Sequence, residues 1–385
     1  MLIGLEAQLR KSVKTLVNRS LSRLTPAKIR FRRTRQPHTG VFVVAERLNT
    51  ENQSERIPFC WRGFSMKVSI VTPTYNRGYI IRETLESLMN QSFHDFESIV
   101  VDDGSVDNTM EIVKGLHDER IRYIRHETNR GYSAACNTGI AAATGEFVAF
   151  LDSDDLWKPD WLERQVCFLS RHPDVDFVFT DVELIDREKT IPSTISLMRA
   201  FPRLLSERSA GREHVLTSRQ MYLCLLEEVP IKTCAVLIRR ETFGQAGVFN
   251  ESWPSGTDWD LFLRISRSSY CGYIDLPLAV QRVGADSTLV KWYLQDEQFH
   301  LKRSMHEKDS LRGDREALAA VNRNISRLCR NLAGEYSRTG RRKESVSVCL
   351  VGFKETREPM MLLRAASSFM PSKLREALKR IIKGR

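Results

Sequence analysis

Between positions 68 and 181 the chain alternates short β-branched or aromatic runs with helical segments, and this alternation constrains its fold more than any other feature. The runs are VSIVT (68–72), SIVVD (98–102), IRYIR (121–125), FVAFLD (147–152) and DFVFTD (176–181). Helical spacing occupies roughly 80–90, 108–116, 133–143 and 160–170 between them. A strand that returns to its sheet through a helix runs parallel to its predecessor, by a right-handed crossover. The expected architecture is an open, mostly parallel, doubly wound α/β sheet. Ligands of such sheets bind beyond the carboxyl ends of the strands, where the strand order reverses.

The flanks read differently. Ten Lys or Arg fall between positions 10 and 35, while Leu2, Leu5, Leu9, Val13 and Leu16 recur at spacings of three and four. That pattern gives a basic amphipathic helix for a membrane surface or a partner. The competing reading is an extension with no fold of its own, because Met66 opens a run, MKVSIVTPTYNR, that looks like a natural start. After about residue 290 the strand signal fades, and 316–339 and 344–352 have helical spacing. The closing PSKLREALKRIIKGR sets Leu374, Leu378, Ile381 and Ile382 on one face among Lys373, Arg375, Lys379, Arg380 and Lys383, as an interfacial or a docked, solvated helix. The expected organisation is a basic N-terminal extension over 1–65, a sheet domain over 66–290 and a helical C-terminal region over 291–385.

A net charge of +11 suits an anionic partner, whether nucleic acid, a membrane surface or a phosphorylated small molecule. No nucleic-acid-binding module accompanies it, so no nucleic-acid partner is expected. The eight cysteines include no C-x-x-C pair, which argues for reduced thiols over a zinc site or a disulfide framework. No apolar run reaches about 18 residues, and Glu6 and Arg10 interrupt the start before a signal-peptide core can form. The expected location is cytoplasmic, with peripheral contact at the inner face of the cell membrane through the basic segments.

Three strands run into unusual chemistry: PTYNR (73–77), DDGS (102–105) and DSDD (152–155). Singly, each has a bland reading as a helix cap or a turn. In one parallel sheet, however, all three converge on a single crevice. Crowded carboxylates there need a compensating cation, or one must stay protonated. A hard divalent ion with oxygen ligands, Mg²⁺ or Mn²⁺, meets that need. A calcium loop is disfavoured, since Leu156 and Trp157 stand where an oxygen ligand and Gly are required. Neither G-x-G-x-x-G after the first strand nor a P-loop occurs.

Four blocks in register, VSIVTPTYNR, VVDDGSVDNT, NRGYSAACNTGIAAATGEFVAFLDSDD and ESWPSGTDWDLFLRI, resemble glycosyltransferase family 2 over roughly 66–290. The resemblance implies a Rossmann-like GT-A fold and inverting transfer from a nucleotide-sugar donor to a hydroxyl of a saccharide or lipid-linked acceptor, in cell-surface polysaccharide biosynthesis. It also implies roles by position. Pro73 and Tyr75 line the nucleoside pocket, and Asp103 hydrogen-bonds the nucleobase or ribose. Asp152 and Asp154 form the D-x-D pair, Asp154 meeting Mn²⁺ or Mg²⁺ on the diphosphate and Asp152 lying beside the donor and the metal. Asp258 is the general base, and Asp260 steadies the following helix.

This chain departs from the pattern with Cys136-Asn137 where many relatives carry Arg-Asn, with Thr257-Asp258 for Glu-Asp, and with Asn250 for a common Asp. Asp155 is expected to cap the turn into the next helix, and Trp157 and Trp259 to pack in the core in preference to stacking on a sugar. Two other readings stand beside transfer: a catalytically silent nucleotide-sugar binder, and a nucleotidyltransferase, which PTYNR disfavours because it lacks a Gly-rich basic loop.

Overall fold

In the computed structural model the described residues are 67–186, 189–206, 211–283 and 293–367. The expectations for residues 1–65 and for the basic stretch 371–385 therefore lie outside them.

The elements follow in chain order: β1 (Val68–Thr74), α1 (Ile81–Met89), β2 (Phe96–Asp102), α2 (Thr109–Lys114), β3 (Ile121–Arg125), α3 (Tyr132–Ala142), β4 (Phe147–Phe150), β5 (Leu156–Trp157), α4 (Trp161–Arg171) and β6 (Val175–Asp186). Then come β7 (Lys189–Ile191), α5 (Ala200–Ser206), β8 (Glu213–Leu216), α6 (Ser218–Glu227), β9 (Val236–Arg239), α7 (Thr242–Ala246), α8 (Thr257–Ser266) and β10 (Tyr270–Val283). Four helices close the described chain: α9 (Tyr293–Ser310), α10 (Arg315–Arg338), α11 (Arg342–Thr356) and α12 (Pro359–Ser367).

Among the described residues the strands form one sheet in the order β3-β2-β1-β4-β9-β6-β10-β5, with β7 beside β6 and β8 beside β10. Strands β3, β2, β1 and β4 are mutually parallel. Strand β9 then runs antiparallel to both β4 and β6, so β6 points the same way as β4 across it, and β10 is parallel to β6. The sheet is thus mostly parallel, as expected, but mixed. The five runs legible in the sequence are all strands of one direction.

Every residue of β1 and β2 is buried, the pattern of parallel strands covered on both faces. Successive side chains alternate between two core layers. Val68, Ile70, Phe147 and Ala149 pack with α1 and α4 on one face; Val71, Val148 and Phe150 pack with α3 on the other. Gly139 lets α3 lie directly on β1, since a Cβ there would sit 2.2 Å from Val71 Cγ1. The second layer continues without a break into α9–α12 through Leu301, Leu311, Val321, Leu328, Leu332 and Met361, so the C-terminal helices share the core of the sheet. No helix among the described residues is long and apolar enough to cross a membrane.

The strand order reverses at β1, whose neighbours are β2 and β4. The carboxyl ends of these strands carry the three motifs picked out from the sequence.

Candidate active site

The loop after β1 is bolted to the loop after β2. Asn76, at φ 52°, donates its N–H to Ser105 Oγ at 2.8 Å and accepts from Val106 N–H through Oδ1 at 2.8 Å. Arg77 N–H reaches Thr109 Oγ1 at 3.1 Å and Gly78 N–H reaches Asp107 Oδ2 at 3.0 Å. The main chain of PTYNR is fixed in this way, with Pro73 buried and Tyr75 exposed. Asp103 follows directly, its N–H donating to Thr74 O at 2.8 Å.

The Asp103 carboxylate is buried and already engaged. Oδ1 accepts from Arg130 N–H at 2.9 Å and lies 2.7 Å from His126 Nδ1, and Oδ2 accepts from Gly131 N–H at 2.8 Å. It therefore ties the start of α3 to the end of β2. One lone pair on Oδ2 is left for a ligand.

Asp152 is the unsatisfied member. Its Oδ1 is buried with no hydrogen-bond partner, and its carboxyl is pushed up to about 7. Burial is the main cause; Asp154 and Asp258 add to it by repulsion, while the Tyr132 hydroxyl and the Arg77 charge offset part of it. Asp154 Oδ2 stands 3.2 Å from Arg77 Nη2. Asp258, in the first turn of α8, accepts Trp259 N–H on Oδ1 at 2.8 Å. It is close enough to Asp152, Tyr132 and Cys136 to raise all three.

Helix α8 starts from Gly256 at φ 64°, a left-handed conformation that favours glycine, and a Cβ there would lie 2.9 Å from the His300 ring. Asp260 is bound by Arg264 and by Arg303 Nη2, each at 2.9 Å, and so steadies helices α8 and α9 as the sequence suggested. Both tryptophans belong to the core. Trp157 stacks on Trp161 at 3.6 Å and donates to Cys234 O, and Trp259 donates to Leu225 O at 2.7 Å.

The expected cap at Asp155 is not formed. Asp155 Oδ1 accepts Arg282 N–H from β10 at 3.0 Å, and Asp160 holds the N-cap position of α4. A strand that neighbours the motif in space drew the carboxylate away from the helix that follows it in sequence. Burial, with Asp152 and Asp154 nearby, holds the Asp155 carboxyl well above the usual range.

All six expected site residues lie along this one sheet edge: Pro73, Tyr75 and Asp103 around the first two strand ends, Asp152, Asp154 and Asp258 around the fourth. Three further residues complete the edge. Arg77 was in plain view within PTYNR. Tyr132 follows the Asn-Arg-Gly turn, its hydroxyl lying against Asp152, and burial and that carboxylate raise it well above the ordinary tyrosine range. Arg282 gave no local signal, because its contact depends on strand pairing.

Among the described residues no group of three or more His, Cys, Asp or Glu could hold a metal. Among the described residues the acidic loop after β4 offers the Asp152–Asp154 pair. The buried, unpartnered Oδ1 of Asp152 fits a hard cation that takes one or two carboxylates and completes its shell from substrate phosphates and water.

Residues 69–243 match the family model described as Glycosyl transferase family 2. An uncharacterized glycosyltransferase of Rickettsia felis is 30% identical over 246 residues, 63% of this chain and 36% of that protein. WfgD of Escherichia coli, named as a UDP-Glc:alpha-D-GlcNAc-diphosphoundecaprenol beta-1,3-glucosyltransferase, is 31% identical over 155 residues, 40% of this chain and 61% of that protein. The chain thus spans less than two thirds of either relative's length. The crystal structure of S. aureus TarS 1-349 in complex with UDP-GlcNAc superposes with a TM-score of 0.51 at 21% identity, covering 79% of each chain, which shows the GT-A fold. Motifs, sheet and matched segment agree in making residues 69–243 of this chain similar to glycosyltransferase family 2.

Proposed function

We propose that this chain is a metal-dependent inverting glycosyltransferase. It moves one sugar from a nucleotide-sugar donor to a hydroxyl of a saccharide or lipid-linked acceptor in the making of cell-surface polysaccharide. The observation that carries the reading is the gathering of Asp152, Asp154 and Asp258 on the carboxyl edge of a family 2 sheet, with one buried carboxylate oxygen unsatisfied. The WfgD name, which specifies a nucleotide-sugar donor and a diphosphoundecaprenol acceptor, supports the substrate classes.

In this reading Pro73 and Tyr75 line the nucleoside pocket and Asp103 offers its remaining lone pair to the base or ribose. Asp152 and Asp154 would be the residues to hold Mn²⁺ or Mg²⁺ near the diphosphate end of the donor. The bound cation supplies positive charge against the leaving diphosphate. Asp258, with Oδ1 held by Trp259 N–H, offers Oδ2 to the acceptor hydroxyl and takes its proton as the oxygen attacks the anomeric carbon in line. The transition state resembles the oxocarbenium of glycoside hydrolysis, and no covalent intermediate forms. The catalytic unit proposed is 66–290, with the basic segments near 10–35 and 373–383 bringing it to anionic lipid.

The test is a panel of nucleotide sugars scored for Mn²⁺-dependent release of nucleoside diphosphate. Pyrophosphate as product would point to nucleotidyl transfer instead, and donor binding without turnover to a silent binder. Liposome flotation that is unchanged after deletion of both basic segments would remove the membrane contact.

A further inference from the structure

His126 is a buried imidazole that the reaction above leaves unused, and it stands between two groups of the crevice wall. Its Nδ1 lies 2.7 Å from Asp103 Oδ1, and its Nε2 lies 2.9 Å from Thr138 Oγ1 on α3. The residue follows β3 directly, and its N–H donates to Asp102 O at 2.8 Å, which prolongs the pairing of β3 with β2. Gly104, at φ 83°, admits the chain beyond it, since a Cβ there would lie 2.9 Å from the Thr128 carbonyl carbon. Two strand ends and a helix are thus gathered on one ring.

The proton positions follow from the partners. Both Asp103 oxygens already accept main-chain N–H groups, from Arg130 and Gly131, so the proton shared across the 2.7 Å contact sits on Nδ1. In the neutral ring Nε2 is then an acceptor, and the Thr138 hydroxyl donates to it. Thr138 therefore fixes the tautomer that Asp103 requires. With an imidazole and an amide both donating to Oδ1, the carboxyl plane cannot turn, and the lone pair left on Oδ2 keeps one direction.

We propose that His126 is a positioning residue for the donor nucleoside, holding Asp103 through Nδ1–H so that Oδ2 presents its open lone pair to an N–H or O–H of the base or ribose. A carboxylate fixed before the ligand arrives has less to lose in ordering when it binds. The inference rests on the donor reading above, with Asp103 as its nucleoside contact.

UDP, GDP, CDP, ADP and dTDP are titrated into wild type by calorimetry, with Mn²⁺ present, to find the preferred diphosphate. His126→Leu should bind it about tenfold more weakly, as expected when a hydrogen bond to a charged group loses its orientation. His126→Asn, whose side-chain amide replaces Nδ1–H, should return affinity to within about threefold of wild type. Thr138→Val should cost about threefold. The deciding measurement is a double-mutant cycle: in an Asp103→Asn background His126→Leu should have no further effect, because His126 acts through that carboxylate. A purely structural histidine would lower Tm and leave affinity per folded molecule in place, or would weaken binding equally in both backgrounds. Either result overturns the inference, as does His126→Asn binding no more tightly than His126→Leu. Should His126→Leu or Asp103→Asn fail to fold, Thr138→Val against wild type carries the test, and unchanged affinity there overturns the inference. In all these outcomes wild-type diphosphate binding leaves the donor reading standing. Failure of all five diphosphates to bind wild type with Mn²⁺ brings down the donor reading, and the inference with it.

Discussion

The two ends of the parallel strands treat a buried carboxylate in opposite ways. At the amino end Glu97, at the start of β2, accepts from Ser69 Oγ at 2.7 Å, Thr144 Oγ1 at 2.6 Å, Thr144 N–H at 2.9 Å and Arg122 Nη1 at 2.9 Å. Burial alone would raise Glu97, but these donors bring it down to about 2. At the carboxyl end Asp152 is half-buried among other acids, keeps its buried Oδ1 unpartnered and rises to about 7. A protein that can satisfy a carboxylate so fully at one end has left another unsatisfied at the other, and the unsatisfied one lies where the fold binds ligands. Under the proposed function, the amino end serves stability and the carboxyl end serves chemistry.

The largest test of that division is on turnover. Asp258→Asn should lower kcat by about a thousandfold with donor binding kept, as expected for removal of a general base. Near wild-type transfer would take Asp258 out of that role. Glu97→Gln should do the reverse, lowering unfolding free energy by about 2 kcal/mol in a urea titration through lost charge-assisted bonds, with turnover per folded molecule unchanged.

The pH dependences should have opposite slopes. The Glu97 carboxyl is lowered, so its contribution is present above the unfolded value near 4.5 and is lost as pH falls toward 2. The Asp152 carboxyl is raised, so its contribution is full below the unfolded value near 3.8 and is lost as pH rises through about 7. In metal-free buffer Asp152→Asn should therefore gain on wild type by a few degrees in Tm between pH 4 and 8. Mn²⁺ should raise the wild-type Tm at pH 8 and leave that of Asp152→Asn in place. Parallel Tm curves for the two proteins would erase the contrast.

The smallest effect should come from Gly256→Ala, which strains the turn that presents Asp258. About 1 kcal/mol of stability should be lost with a severalfold fall in kcat, and a loss of stability alone would separate that turn from catalysis.

Local pattern made the first half of the fold legible. Strands β1 to β4, strand β6 and helices α1 to α4 follow from runs whose periodicity is written within ten residues. The reversed direction of β9 could not be read, because VLIR has the same composition whichever way it points. Strand β10 was hidden by Gly272, Asp275 and Pro277, which break its pattern, and the register shifts around Pro277 are the structural trace of that interruption. In the site, the D-x-D pair and Asp258 stand in short motifs. The roles of Asp155 and Arg282 depend on partners 127 residues apart, beyond any local signal.

That separation also sets an order of events in synthesis. The loop carrying Asp152 and Asp154 is pinned by Arg282, whose N–H donates to Asp155 Oδ1 and whose Nε donates to the Asp154 carbonyl, and β5 and β6 both pair with β10. A nascent chain that has emerged only as far as residue 243 has every residue of the family match and lacks the strand that holds its acidic loop. Long-range pairings of this kind form late. The growing polypeptide gains the strand that pins its acidic loop only after β10 has left the ribosome.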